Sequence, residues 1–163
     1  MASQDTIFYI VRHGETEHNV NGISQGHTDS PLTEKGIEQA KTIANLFKDT
    51  HFDVVFSSDL FRTQRTAEII TLERKLVVNT SKLIRERSYG AYDGKESRLF
   101  REENIEAFEK LKTLSYPENI RFRIAPDVET DEEIAQRMTL FLREAAVTYV
   151  GKTLLVVAHG GIM

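Results

Sequence analysis

Arginine and histidine stand side by side at positions 12 and 13, where the apolar run IFYIV stops and a glycine and a polar loop follow. A second histidine, His159, ends another apolar run, TLLVVA, and is followed by Gly160 and Gly161. A second arginine, Arg62, comes shortly after a third apolar run, DVVF at 53–56. Taken singly, a histidine at a strand end is ordinarily a packed or surface residue, and an arginine early in a helix a solvated one. Taken jointly they describe an anion pocket. Two planar guanidinium forks grip the oxygens of a phosphoryl group, and a neutral imidazole is a competent nucleophile near pH 7.

Such a pocket exists only if the fold brings the three places together. Residues 6–12 are β-branched and aromatic, apolar on both faces, and predict a central strand. Residues 53–56 and 153–158 predict further buried strands, and 76–78 a third short one. Between them Thr33 is a candidate N-cap for a helix carrying Ile37, Ala40, Ala44 and Phe47 on one face. Ser57–Asp59 is a candidate cap for a second, with Leu60, Thr63, Ala67 and Ile70. Residues 97–112 and 131–149 predict two more helices, with an irregular piece around Pro117 and Pro126 between them. Apolar strands alternating with helices imply an α/β three-layer sandwich with a mainly parallel central sheet. Ligands in such sheets bind beyond the carboxyl ends of the strands, which is where Arg12, His13, Arg62 and His159 all fall. Glycine turns and helix starts there add free backbone N–H groups that favour anions.

The bulk properties are compatible with that reading. A chain of 163 residues, 40% hydrophobic and 28% charged, fits one globular domain. Its net charge of −4 lacks the basic excess of a nucleic-acid binder. The absence of cysteine removes disulfides, thiolate catalysis and cysteine zinc sites. The start, MASQDTIFYIVR, has no basic leader stretch, and no segment approaches the ~18 apolar residues of a membrane span. Cytoplasm, no membrane and no nucleic acid are therefore the expectations. No His/Asp/Glu spacing resembles H-E-x-x-H or another metal motif.

Five segments in order, VRHGET, GISQGHTDSPLTEKGIEQA, SSDLFRTQRTAE, RERSYGAYDGK and VVAHGG, resemble the histidine phosphatase superfamily and its phosphoglycerate-mutase-like fold. The likeness spans nearly the whole chain. It implies that His13 is the nucleophile and forms a phosphohistidine. Arg12, Arg62 and His159 would hold the phosphoryl oxygens and stabilise the transition state. Asn19, Gln25 and Gly26 match phosphate- or substrate-contacting loop positions. Glu86 matches the acidic position of the segment ER-x-Y-G, a general acid/base, and Arg87 and Tyr89 follow it as substrate contacts. Glu129 falls where relatives often carry a Glu-Ser pair near substrate. No cofactor and no metal are implied.

Within that family the segment RERSYGAYDGK resembles broad-specificity, fructose-2,6-bisphosphatase-like and α-ribazole-phosphate phosphatases. The expected activity is that of a metal-independent phosphoric monoester hydrolase of the histidine acid phosphatase type, acting on a small phosphorylated metabolite; the fold also permits a phosphoprotein. A phosphoglycerate mutase-type transferase is the alternative, but mutases usually carry an extra arginine pair, and residues 95–130 offer only scattered Arg98, Arg101, Arg121 and Arg123. A non-catalytic phosphate-binding module is the second alternative. Residues 1–163 read as a single domain with a substrate-specificity insertion at 92–130. The family pattern normally continues past its second His-Gly with a further helix, so the chain is expected to be truncated at its C-terminus. Oligomeric state and physiological substrate are not written in the sequence.

Overall fold

Four strands form among the described residues of the computed structural model: β1 (Ile7–Arg12), β2 (Val54–Ser58), β3 (Val78–Ser81) and β4 (Thr153–Ala158). They pair in parallel throughout, in the order β1-β4-β2-β3. The structure describes residues 5–72, 74 and 76–163, so the extreme start of the chain, Met1–Gln4, lies outside the described residues. The helices are α1 (Glu17–Val20), α2 (Glu34–Leu46), α3 (Phe61–Thr71), α4 (Ser97–Glu103), α5 (Ile105–Thr113), α6 (Glu118–Arg121) and α7 (Asp131–Thr148).

Strand β4 shows why both sheet faces must be covered. Its alternate residues Val156 and Ala158 pack with Ile134, Met138 and Phe141 of α7. Leu155 and Val157 point the other way, onto a cluster with Ala67 and Ile70 of α3, reached also by Ile43 of α2. Two-residue alternation thus divides one continuous apolar run between two helical layers. The outcome is the expected α/β sandwich with a parallel central sheet.

The details depart from expectation in instructive ways. β1 is not central. It pairs only with β4, and Ile7, Tyr9 and Ile10 are 51%, 37% and 36% exposed. Its apolarity on both faces has another cause: Phe8 packs on the α7 side and Val11 on the α2/α3 side. The third strand begins at Val78 rather than at residue 76. Residues 97–112 form two helices, interrupted at Asn104, whose side chain donates to the Phe100 carbonyl instead of leaving the helix uninterrupted. Thr33 caps α2 as expected, its hydroxyl accepting from Gly36 N–H. The N-cap of α3 is Leu60, not a residue of 57–59, and makes no side-chain cap bond.

Gly14 is fixed by tertiary packing. A Cβ there would lie 2.3 Å from the Gly36 carbonyl oxygen, and a Cβ on Gly36 would lie 2.0 Å from that of Glu15. The two glycines let the end of β1 and the start of α2 touch backbone to backbone. Gly14 N–H is then tied to the Thr66 hydroxyl of α3 at 3.1 Å.

Candidate active site

Parallel register sets the site. Arg12 pairs with Ala158 and Ser57 with Val157, so β1, β4 and β2 end at one sheet edge. His13 N–H donates to the Ala158 carbonyl at 3.1 Å, which places the residue after β1 beside the residue after β4. The rings of His13 and His159 meet edge-on, with centroids 5.2 Å apart.

His13 is 6% exposed. Its Nδ1 lies 2.7 Å from the Gly14 carbonyl. A carbonyl only accepts, so Nδ1 carries the proton and Nε2 keeps a free lone pair. Burial, opposed by the Gly14 carbonyl and assisted by Arg62 and Arg12, pushes the His13 pKa down to about 4. The ring is therefore neutral at pH 7. His159 is fully buried, and its Nε2 lies 2.7 Å from the Ser58 hydroxyl. Burial first, then the nearby charge of Arg62, pushes its pKa far down.

Arg62, on the first turn of α3, is fully buried, and burial depresses its pKa against the pull of Asp29, Glu86 and Asp93. Its two terminal nitrogens donate to the carbonyls of Thr28 (2.7 Å) and Gly26 (2.8 Å). The ion pair it makes is loose, 3.5 Å to Asp29. Arg12 is exposed, with Gly160 packed so close that a Cβ would sit 3.2 Å from its Nε. No other described residue bonds the Arg12 guanidinium.

Arg12, His13, Asn19, Gln25, Gly26, Arg62, Glu86 and Tyr89 line one cavity of about 180 Å³. Two predicted residues stand apart from its walls. His159 is fully buried, its ring edge-on to that of His13. Arg87 is turned away: it donates to the Glu129 carbonyl at 2.9 Å and pairs with Asp131. Glu86 is not held by its arginine neighbours, since Arg85 pairs with Asp59. Instead its carboxylate accepts from the N–H groups of Arg87 (2.8 Å) and Gly161 (3.2 Å). Gln25 accepts the Thr16 hydroxyl proton at 3.0 Å, and Asn19 Oδ1 accepts from Thr16, leaving the Asn19 NH₂ group toward the cavity without a bond among the described residues.

Among the described residues three buried side-chain polar atoms have no partner, and two of them belong here: Arg62 Nε and His159 Nδ1. Buried donors are rarely left unsatisfied. An oxyanion entering the cavity that Arg62 lines would satisfy its Nε.

Several supporting residues escape sequence reasoning. His27, otherwise a plain loop histidine, places Nε2 2.9 Å from the Glu86 carbonyl. Asp93 accepts from the backbone N–H of His27 and of Tyr89, fastening the two loops that carry Gly26 and Glu86. It also explains Gly26, whose φ is +46° and whose Cβ would overlap the Asp93 carboxylate. Arg137 on α7 donates to the carbonyls of Leu83, Arg85 and Glu86 and grips Glu129 at 2.9 and 3.0 Å. Glu129 is thereby a cross-link, also accepting Ser88 N–H, rather than part of the cavity wall. No local pattern marks His27, Asp93 or Arg137, because most of their partners are backbone groups of remote segments.

A family model described as histidine phosphatase superfamily (branch 1) matches residues 8–163. The chain belongs to that family. It is 36% identical over 155 residues to an uncharacterized phosphatase, PhoE, of Bacillus subtilis, covering 95% of this chain and 72% of that protein. It is 29% identical to the adenosylcobalamin/alpha-ribazole phosphatase of Escherichia coli, over 95% of this chain and 74% of the relative. Among solved structures, a phosphoglycerate mutase from Bacillus anthracis superposes with a TM-score of 0.88 at 30% identity, over 99% of this chain and 78% of the other. The family's phosphatases and its mutases are thus both represented among the relatives, and the fold is theirs. No helix among the described residues is long and apolar enough to cross a membrane.

Proposed function

We propose that this protein hydrolyses phosphomonoesters through a phosphohistidine on His13 Nε2, with Glu86 as general acid and base. The observation that carries the proposal is the pair of unpartnered buried atoms, Arg62 Nε and His159 Nδ1, beside a neutral imidazole whose lone pair is free. In the first step the Nε2 lone pair attacks phosphorus, the ester P–O bond breaks, and Glu86 protonates the departing alkoxide. In the second, Glu86 takes a proton from water, the oxygen attacks phosphorus, and the P–N bond breaks to return neutral His13. Arg12, Arg62 and Asn19 bind the equatorial oxygens, where charge spreads in the transition state. Ser58 donating to His159 Nε2 would leave the proton on Nδ1, the atom that then reaches an oxygen.

Hydrolysis is favoured over mutase chemistry by the state of the remaining arginines. Arg98, Arg121 and Arg123 are paired with Glu96, Glu132 and Glu133, which leaves Arg101 alone without a bonded partner among the described residues. No free arginine pair is left for a second anionic group. The described residues also hold no cluster of three or more side chains suited to a metal ion, and the chemistry above needs none. Phosphate release from a simple phosphomonoester should therefore proceed at an unchanged rate in excess EDTA. Loss of activity on chelation, or isomerisation of 3-phosphoglycerate primed with bisphosphoglycerate outrunning phosphate release, would overturn the proposal.

The role of Glu86 has its own signature. Glu86→Gln keeps the shape of the side chain but cannot exchange a proton. It should lower kcat by about 10²–10⁴-fold on an alkyl phosphate, the usual worth of general acid–base catalysis. Phosphoenzyme formation from 4-nitrophenyl phosphate, whose leaving group needs no proton, should fall far less. Equal losses on both substrates would remove Glu86 from the acid role.

A further inference from the structure

Asn19, Ile23, Ser24, Gln25 and Gly26 all line the cavity at His13. Between the first two lies a turn, Val20–Gly22, that no step of the mechanism uses. It contains Asn21–Gly22, the only asparagine in the chain that a glycine follows. Such a pair can react with itself, because the backbone nitrogen of a glycine is unshielded and free to approach the asparagine side-chain carbonyl. The other asparagines are followed by valine, leucine, threonine or isoleucine, whose bulkier side chains crowd that approach.

The structure leaves this pair open to the reaction. Asn21 and Gly22 are both exposed, and the Asn21 side chain makes no hydrogen bond among the described residues. Gly22 has φ +65°, and a Cβ placed on it would meet nothing within 4 Å. Its N–H is held only by the Asn19 carbonyl, at a long 3.3 Å. Asp93–Gly94 offers a similar sequence opportunity without the freedom. The Asp93 carboxylate is held by the N–H groups of His27 and Tyr89, at 3.0 and 2.8 Å.

We infer that Asn21 is a site of spontaneous deamidation, and that its conversion to isoaspartate weakens phosphate binding in the His13 cavity. The Gly22 nitrogen bonds to the Asn21 side-chain carbonyl carbon, the carbon–nitrogen bond of the side-chain amide breaks, and ammonia leaves with the Gly22 proton. Water then opens the cyclic imide. Attack at the former side-chain carbonyl gives aspartate; attack at the backbone carbonyl gives isoaspartate, whose main chain runs through Cβ and is a methylene longer. That extra length falls where the chain has little slack. The Ile23 N–H donates to the His18 carbonyl at 2.9 Å, closing a ring that contains residue 21. Immediately beyond, Ser97 N–H donates to the Gly22 carbonyl and Ser24 N–H to that of Lys95, both at 2.8 Å, clasping residues 22–24 to 94–97. A longer turn strains that ring or shifts Asn19 from the cavity wall, and the new carboxylate adds negative charge beside an anion site.

The test holds the folded protein in mildly alkaline buffer and follows each asparagine peptide by mass and by enzymatic methyl labelling of isoaspartate. Asn21→Gln, whose longer side chain closes the imide far more slowly, is aged in parallel. Amide loss should appear first at Asn21, and the variant should stay unlabelled. The isoaspartate form, separated by ion exchange through its added charge, should bind inorganic phosphate about tenfold more weakly than fresh protein, the scale of one hydrogen bond to a charged group. Aged Asn21→Gln should bind phosphate as fresh protein does. Amide loss first at another asparagine, or none at Asn21, would overturn the site. Isoaspartate at Asn21 with unchanged phosphate binding would overturn its effect on the cavity. The phosphatase reading fails separately: fresh protein that binds phosphate but releases none from an ester would overturn that reading and leave the fate of Asn21 to the mass and binding measurements.

Discussion

His13→Ala should abolish phosphate release, with kcat reduced by a factor on the order of 10⁴–10⁶, the range seen when a nucleophile that acts as part of a unit is removed. Two physical facts set the size of the effect. Ala leaves no atom able to accept the phosphoryl group, and water in its place would have to attack without the division of the displacement into two steps. The unaltered protein, quenched during turnover, should carry an acid-labile phosphoryl group, and the variant none. The pH dependence has a definite sign. Burial holds the His13 pKa down at about 4, so lowering the pH from 7 to 5.5 leaves the free imidazole neutral and nucleophilic. A ring titrating near 6.5 would instead be mostly protonated at pH 5.5. Side-chain NMR on the free protein checks this directly: a His13 resonance that titrates around 6.5 would contradict the buried, carbonyl-tethered ring. A His13→Ala protein that releases phosphate at the original rate would remove the nucleophile assignment altogether.

Arg62→Ala should lower kcat by roughly 10²–10³-fold, the cost of deleting one preorganised donor to a developing oxyanion. Here the donor is unusual, because it is a fully buried cation whose ion pair to Asp29 is loose at 3.5 Å. A phosphate arriving in the cavity supplies the counter-charge that burial has withheld, so inorganic phosphate or vanadate should raise the melting temperature of the unaltered protein. In Arg62→Ala that rise should largely vanish. Arg62→Lys should not restore it, since a single ammonium nitrogen lacks the planar fork whose separate nitrogens reach the Thr28 and Gly26 carbonyls while Nε stays free. The variant is also expected to melt earlier, having left two buried carbonyls without donors. The decisive reading is therefore the ligand-induced shift rather than the starting temperature: a full shift in Arg62→Ala would show that the residue serves only to hold the loops.

What the sequence revealed, and what it hid, follows from the range of the interactions. β4 was legible because five consecutive apolar residues, Leu154–Ala158, buried on both faces leave a strong local trace, and His159 was legible as the residue that ends it. The meeting of His13 with His159 was legible through a general property of parallel sheets, which bring strand ends to one edge. The edge position of β1 was not, since Ile7, Tyr9 and Ile10 look the same whether covered or exposed. The break at Asn104 was hidden because the helical period continues across it. Arg137, His27 and Asp93 were hidden for a different reason. Their contacts are largely to backbone carbonyls and N–H groups, and backbone carries no residue type to be recognised. Gly14 stands out in the sequence only as the residue after His13, and the neighbour that constrains it, Gly36, is a matter of tertiary packing.

The order of strands has a consequence for how the protein comes into being. β4, made after the other three strands, lies between β1, made first, and β2, and touches both along its length. Until it arrives, β1 and β2 have no common partner, and His13 faces the gap that His159 will fill. A chain growing from its N-terminus at ribosomal speed therefore carries His13, the proposed nucleophile, through the making of β1, β2 and β3 without the neighbours that β4 brings. Closing the gap means joining segments nearly the whole chain apart, the slow kind of contact. On the proposed mechanism, phosphoryl-transfer capacity should thus appear abruptly, with the insertion of a single strand.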